Sequence, residues 1–278
     1  MKGQQGGGRR DGSASRSPRP ARAAAAAGAP ALPHAALRQS VIDTCLEMNR
    51  MGINQGTSGN VSKRVPGGFL ITPSGVPYET MKAEQVVFMD LGGGYYGGNL
   101  PSSEWRLHYD VYLARPDAQA VVHAHPCFCT ALSAQRKGIP AFHYMVGVAG
   151  GKEIRCAEYA TFGTQELSAF MIDAMAGGLR ACLLANHGMV CYGPSLEKAL
   201  WLTNEVEQLA RQYIYTLSLG PPVLLSDEEM DIVLAKFMTY GKQADEVAKL
   251  GPEVCKHAIV MPPKRGPDHP TEAEAELF

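Results

Sequence analysis

The chain has 278 residues, of which 45% are hydrophobic, and its formal net charge is -1 at pH 7. This balanced charge gives no general attraction to nucleic acid, and no stretch approaches the roughly 20 apolar residues of a membrane-spanning helix. We therefore expect neither nucleic acid nor a membrane as a partner. The seven cysteines lack C-x-x-C spacing, which favours reduced thiols in a cytoplasmic protein over a disulfide framework.

The two ends of the chain differ in composition from its middle. Residues 1–35 are rich in Gly, Ser, Pro and Ala and carry five arginines against one acidic residue, which predicts a disordered extension. The same composition is typical of organellar import signals, so import remains open as an alternative. Residues 36–245 contain no long linker or internal repeat and are predicted to form one domain, followed by a polar, flexible tail over 246–278.

Hydrophobic periodicity predicts that helices and strands alternate along this domain. In chain order we expect a helix over 36–51, a hairpin over 60–72, a strand over 86–89, a helix from Ser102 or Ser103 to Tyr112 with Glu104 in its first turn, a strand over 120–125, helices over 128–136 and 165–175, a strand over 181–185, and helices over 196–219 and 226–237. Because short turns join several strands, we expect an α/β fold with three αβα layers around a mixed, largely antiparallel sheet.

Three short segments of the sequence predict a metal site. His123 and His125 belong to an apolar strand, and strand side chains two residues apart point to the same face. His187 follows a second apolar strand, and Glu104 can add a carboxylate. Three imidazoles and one carboxylate suit Zn²⁺ better than Mg²⁺ or Ca²⁺.

Cys127 and Cys129 continue the alternate spacing of the two histidines and are rival ligands. Pro126 argues against them, because proline favours the first turn of a helix over a continuing central strand.

Gly- and Ser-rich segments at the ends of the predicted elements are candidates for binding a phosphate. They cover 56–60, 72–75 and 102–103, where hydroxyls and free backbone N–H groups can hold an anion. Each segment alone is typical of an ordinary turn, and none matches a nucleotide-binding loop. Together with the metal site they favour a small phosphorylated substrate.

The chain resembles the class II aldolase/adducin family, and within it most closely the aldolases that act on L-fuculose 1-phosphate. The motifs that carry the likeness are GTSGNVS (56–62), LITPSG (70–75), PSSEWR (101–106), VVHAH (121–125), YATFGT (159–164) and LEKALWL (196–202). They span roughly residues 40 to 242. The resemblance implies that 36–245 is a catalytic domain.

The same resemblance implies roles for individual residues. His123, His125 and His187 would bind Zn²⁺, with Glu104 as a fourth ligand that can leave the metal and act as acid and base. The substrate phosphate would be held by Gly59, Asn60, Ser74, Gly75, Ser102 and Ser103. Members of the family are usually homotetramers with sites between subunits, and the pocket aromatics would be Tyr144, Phe162 and Tyr240. Tyr144 is the candidate for exchanging a proton with the aldehyde oxygen.

The function implied is a zinc-dependent aldolase that reversibly cleaves a ketose 1-phosphate to dihydroxyacetone phosphate and a short aldehyde such as L-lactaldehyde. Family epimerases usually have Asp in place of Glu104, which favours cleavage over epimerisation. Three alternatives stay open: a methylthioribulose-1-phosphate dehydratase, an aldolase acting on 5-deoxyribulose or methylthioribulose 1-phosphate, and an adducin-like interaction module without catalysis.

Overall fold

The computed structural model describes residues 32–247, 249–251, 254 and 256. The extension predicted over 1–35 and the tail predicted over 246–278 therefore lie largely outside the described residues. The described residues from Pro33 onward belong to one compact unit. Among its described residues, no helix is both long and apolar enough to cross a membrane.

An eight-stranded sheet forms the middle layer of the unit. Its strands are β1 (Asn60–Val65), β2 (Gly68–Ile71), β3 (Val87–Asp90), β4 (Tyr95–Tyr96), β5 (Ala120–Ala124), β6 (Cys156–Ala157), β7 (Ala181–Leu184) and β8 (Gly188–Gly193). Their order across the sheet is β4-β3-β2-β1-β5-β8-β7-β6. Every neighbouring pair is antiparallel except β6 with β7, which confirms the mixed, largely antiparallel sheet.

Seven α-helices are described around this sheet. They are α1 (Ala35–Arg50), α2 (Trp105–Ala114), α3 (Cys127–Ala134), α4 (Gln165–Ala174), α5 (Leu196–Leu219), α6 (Asp227–Phe237) and α7 (Ala244–Val247). The predicted helix boundaries agree within one or two residues except at the start of α2. A Ser226–Glu229 capping box begins α6, with each side chain bonded to the other residue's backbone N–H, and it satisfies N–H groups that have no partner within the helix.

The central strand β5 shows how the helices divide between the two faces. Val121 packs in a core cluster with Leu107 of α2 and Met171 of α4. The next residue, Val122, packs in a second cluster with Val41 of α1. Because successive strand residues point to opposite faces, α2 and α4 cover one face and α1 the other, as the three-layer prediction requires.

The face toward α2 is also the face of the predicted metal ligands. His123 lies two residues after Val121 on β5, so its side chain emerges on the α2 side of the sheet. The N-terminus of α2, with Glu104 beside it, therefore lies near the end of the central strand.

Candidate metal centre

His123 and His125 come from the end of β5, and the sheet fixes the orientation of the first ring. His123 is fully buried, and its Nδ1 lies 2.9 Å from the Met189 carbonyl oxygen on β8. A carbonyl only accepts, so Nδ1 carries the proton and Nε2 presents a lone pair. The Nε2 atoms of His123 and His125 lie 2.9 Å apart, as the alternate spacing predicts.

His187 lies in the turn between β7 and β8. Asn186 precedes it with φ 54°, a left-handed conformation that asparagine tolerates better than most residues. The Asn186 N–H donates to Ser133 and the His187 N–H to Leu184, at 2.9 and 3.0 Å. This tight turn brings the His187 ring to 4.9 Å from His123 and 4.8 Å from His125, centroid to centroid.

The prediction for Glu104 was wrong in one respect. Glu104 is not in the first turn of a helix capped by Ser102 or Ser103. It is the residue before α2, with φ -103° and ψ 20°, and the helix has no side-chain cap. Ser102 Oγ instead accepts a hydrogen bond from the Glu104 N–H at 3.2 Å. The non-helical backbone lets the carboxylate point to the histidines, with Oε2 at 3.0 Å from His123 Nε2 and Oε1 at 3.2 Å from His187 Nε2.

The four side chains fit a divalent cation. One ligand atom from each of Glu104, His123, His125 and His187 lies within 4.8 Å of the others. The Oε1 atom of Glu104 is buried, and its 3.2 Å approach to His187 Nε2 lacks hydrogen-bond geometry, which is costly for a buried acceptor. Converging nitrogen lone pairs beside a carboxylate are the arrangement that a divalent cation stabilises.

Burial and mutual charge shift the pKa values within this cluster. Burial raises the pKa of Glu104, but the neighbouring His123 and His187 outweigh it and lower that pKa well below its usual range. Burial lowers the pKa of His123, whereas the Glu104 charge raises it, and the net direction is upward. For His125, burial and the charges of His123 and His187 lower the pKa to about 4, so His125 stays neutral at pH 7.

A cleft of about 280 Å³ opens beside the cluster. It is lined by Ser58, Ser103, Glu104, His125, Tyr159, Ala160, Phe162, Asn186 and His187. Phe162 and Ser103 thus line the same cleft as the predicted metal ligands Glu104, His125 and His187. Sequence analysis missed Ser58, Tyr159 and Asn186, although Ser58 and Tyr159 lie within two of the motifs that carried the resemblance.

The Gly- and Ser-rich segments lie around the same end of the sheet. Pro73 and Pro101 form an isolated bridge, and the Ser74 N–H donates to Leu100 at 3.1 Å. Segments 72–75 and 100–103 are therefore held side by side. Gly75 has φ 69°, a conformation in which glycine is favoured.

Gly59 and Asn60 lie against the strand that carries the histidine pair. The register of β1 and β5 places Asn60 opposite His123. A Cβ on Gly59 would lie 2.7 Å from the His123 carbonyl oxygen, so only glycine permits this approach. Asn60 is buried, and its Nδ2 donates to Glu104 Oε2 at 3.3 Å. Its amide thus contacts the carboxylate of the cluster.

Tyr144 and Tyr240 do not line the cleft of their own chain. Tyr144 stacks on Phe237 with ring centroids 6.3 Å apart, and Phe237 contacts Tyr240 edge-on at 5.4 Å. Both tyrosines are about half exposed. Both predicted tyrosines therefore contact Phe237, and of the three predicted pocket aromatics only Phe162 lines the cleft.

His108 is a buried polar residue near the cluster that no sequence motif singled out. It bonds to Asn60 and to Ser62, both on β1. Burial and the charge of His123 lower its pKa to about 3, so the ring is neutral at pH 7. No spacing along the sequence could reveal this contact, because the partners lie 46 and 48 residues away.

Known proteins with similar sequences include two that are named as aldolases. The chain is 53% identical to "L-fuculose phosphate aldolase" of Escherichia coli over 211 residues, which are 76% of this chain and 98% of that protein. It is 48% identical to "5-methylthioribulose-1-phosphate/5-deoxyribulose-1-phosphate aldolase" of Rhodospirillum rubrum over 209 residues, 75% of this chain and 94% of that protein.

Solved structures agree with these sequence relatives. One titled "L-fuculose 1-phosphate aldolase" superimposes with a TM-score of 0.71 at 40% identity, covering 73% of this chain and 96% of its own. The family described as "Class II Aldolase and Adducin N-terminal domain" matches residues 39–214. Together with the Glu and His cluster, the family supports a divalent metal. The chain belongs to the class II aldolase and adducin family.

Proposed function

We propose that the protein is a zinc-dependent aldolase that reversibly cleaves a ketose 1-phosphate to dihydroxyacetone phosphate and a short aldehyde. L-fuculose 1-phosphate is the first candidate substrate, with L-lactaldehyde as the second product. The observation that carries the proposal is the convergence of one carboxylate and three imidazoles beside an open cleft. The 53% identity to an enzyme named for this substrate supports it.

Zinc is the metal that the donor set favours. His123, His125, His187 and Glu104 offer three nitrogens and one oxygen, whereas Mg²⁺ and Ca²⁺ prefer oxygen ligands throughout. When bound, the ion would polarise the ketose carbonyl and stabilise the negative charge that develops beside it as the C3–C4 bond breaks. The proposed mechanism needs no lysine Schiff base.

Glu104 is proposed to move the proton at the carbon that loses its bond. Its carboxylate lines the cleft and is 6% exposed, so water competes little for it. When the carboxylate turns away from the histidines toward the substrate, its dry surroundings make it bind a proton more readily. Asn60 holds one of its oxygens in the described state.

The substrate phosphate is proposed to bind where the Gly- and Ser-rich segments meet. Ser103 lines the cleft, and segments 72–75 and 100–103 lie against each other. Backbone N–H groups and hydroxyls in such a concavity suit a phosphate. The proposed phosphate-binding residues are Gly59, Asn60, Ser74, Gly75, Ser102 and Ser103.

Tyr144 and Tyr240 are proposed to complete the cleft of a neighbouring subunit in a homotetramer. Both are about half exposed, and neither lines the cleft of its own chain. Tyr144 would there exchange a proton with the aldehyde oxygen. Light scattering of the purified protein tests the tetramer, and a monomeric active enzyme would contradict it.

We place the enzyme in the cytoplasm because the six described cysteines are all free.

The function is tested by incubating zinc-loaded protein with L-fuculose 1-phosphate and coupling dihydroxyacetone phosphate release to NADH oxidation by glycerol-3-phosphate dehydrogenase. We expect a signal that disappears when a chelator removes the metal. The absence of dihydroxyacetone phosphate from L-fuculose, 5-deoxyribulose and methylthioribulose 1-phosphates alike would refute the aldolase.

A second candidate substrate is supported by a specific relative. The 48% identity to an aldolase named for 5-methylthioribulose 1-phosphate and 5-deoxyribulose 1-phosphate favours the same cleavage with a different aldehyde end. Comparison of kcat/KM for the three ketoses separates the candidates. Loss of water from methylthioribulose 1-phosphate without carbon–carbon cleavage would favour the dehydratase, and a protein that binds no metal would favour the interaction module.

A further inference from the structure

A continuous chain of buried polar side chains leads from the metal cluster into the core between α2 and β1. Its members are Glu104, Asn60, His108, Ser62 and Tyr112, all less than 7% exposed. Asn60 Nδ2 lies 3.3 Å from Glu104 Oε2, and Asn60 Oδ1 contacts His108 Nε2. Ser62 Oγ then lies 2.6 Å from His108 Nδ1 and 2.8 Å from the Tyr112 hydroxyl.

Only one direction of donors satisfies every contact in this chain. The Glu104 carboxylate accepts, so Asn60 must donate through Nδ2 and accept through Oδ1. His108 must then donate from Nε2, and a neutral ring with a proton on Nε2 accepts at Nδ1 from Ser62. The Ser62 oxygen in turn accepts from Tyr112. Every donor therefore points toward Glu104.

The reverse orientation of the Asn60 amide would be unfavourable. Its Oδ1 would then face Glu104 Oε2 at 3.3 Å, which places two acceptors together in a buried site. The His108 ring prevents this flip as long as its Nε2–H faces Asn60. Burial and the charge of His123 hold the pKa of His108 at about 3, which keeps the ring in its single-donor form.

We infer that His108 is a positioning residue, which fixes the amide of Asn60 and through it the Glu104 carboxylate at the metal cluster. The inference rests on the proposed function for its kinetic part only. Side chains that contact a metal ligand, as Asn60 contacts Glu104 here, contribute 10- to 100-fold to metal affinity or activity in other proteins, and a His108 variant that releases the Asn60 amide loses this contribution. We expect an effect of that size here.

Two amide variants test the position of the donor. In His108→Gln the side-chain amide reaches the place of Nε2, so it can still donate to Asn60. In His108→Asn the amide reaches only the place of Nδ1, near Ser62. A merely structural requirement for a polar side chain at position 108 would treat the two alike.

The matched control is Thr203→Val. Thr203 is fully buried on α5, and its hydroxyl donates to the Ala199 carbonyl. This variant therefore also loses a buried hydrogen bond, but one outside the row of polar side chains between Glu104 and Tyr112. We expect it to keep wild-type kcat and metal affinity. Thermal unfolding of each variant verifies that it is folded before the kinetic comparison.

The first measurement is zinc affinity by competition with a chromogenic chelator, and the second is kcat and KM with the preferred ketose 1-phosphate. We expect His108→Asn to lose 10- to 100-fold in zinc affinity or kcat, and His108→Gln to stay within about threefold of wild type. Equal loss in both variants, or wild-type values in a folded His108→Asn protein, would overturn the inference. If the wild type cleaves none of the ketoses, the proposed function fails, while the zinc measurement still decides the role of His108.

Discussion

Gly188 lies at the start of β8, beside His125 of the proposed metal site. A Cβ placed on Gly188 would lie 2.5 Å from the Ala124 carbonyl oxygen and 2.7 Å from His125 Cδ2. Real Cβ atoms do not approach neighbours so closely, so Gly188→Ala forces a displacement. The backbone oxygen is held by the pairing of β5 with β8, whereas the imidazole can rotate away from the cluster.

Both responses have measurable consequences. Overpacking of this kind costs about 1–3 kcal/mol, and each kcal/mol lowers Tm by about 2–4 °C for a domain of this size. We therefore expect the Tm of Gly188→Ala to be a few to about ten °C lower than that of the wild type. Rotation of His125 removes one ligand, so we expect zinc affinity, measured by chelator competition, to fall at least about tenfold.

Gly98→Ala is the control for this substitution. Nothing lies within 4 Å of a Cβ at Gly98, and this glycine does not adopt a left-handed conformation. Its Tm and zinc affinity should match those of the wild type. Wild-type Tm and zinc affinity in Gly188→Ala would refute the argument that this close contact positions His125.

Three further predictions concern the ligands, a buried carboxylate and pH. His123→Ala should abolish zinc retention and turnover, whereas Glu104→Gln should keep most of the zinc, measured by metal analysis, and lose about 10²-fold or more in kcat. Glu207→Ala leaves the N–H groups of Phe128 and Cys129 without their acceptor. Urea unfolding should show that the free energy of unfolding falls by about 2–4 kcal/mol. A fall below about 0.5 kcal/mol, the usual limit for surface substitutions, would contradict this role. The pKa of His108 is about 3 in the folded protein, against an ordinary 6.5. Between pH 6.5 and pH 3 the imidazole therefore binds a proton only in the unfolded chain, so the free energy of unfolding falls as the pH decreases through this range. Urea unfolding from pH 7 to pH 4 should therefore show a shallower decline in His108→Gln than in the wild type, and equal slopes would contradict the assignment.

The sequence predicted much of the site because two of the four clustered side chains share one strand. The alternate spacing of His123 and His125 has a direct geometric meaning in a strand, and the apolar run before His187 marks the end of another. Local patterns of this kind also gave the helices, whose periods and caps lie within a few consecutive residues. These features need no knowledge of which strands are neighbours.

The features that sequence analysis missed depend on contacts between distant segments. His108 contacts Asn60 and Ser62 only because β1 pairs with β5 and lies beneath α2. No local sequence pattern indicates this arrangement. Glu104 lies before α2, where its carboxylate contacts His123 and His187 from distant segments, and the local serine pattern does not indicate these contacts. β8 is an exception. Its apolar residues between Gly188 and Gly193 were a local strand signal, but no strand was predicted there.

The strands at the two edges of the sheet, β4 and β6, contain two residues each. A long unpaired edge offers a row of backbone donors and acceptors to any extended chain, including another copy of the same protein. Edges this short offer little to such a chain. Within the described residues, strand addition and fibrous aggregation through the sheet are therefore disfavoured, and side chains on helices and loops offer the larger surfaces for an assembly of subunits.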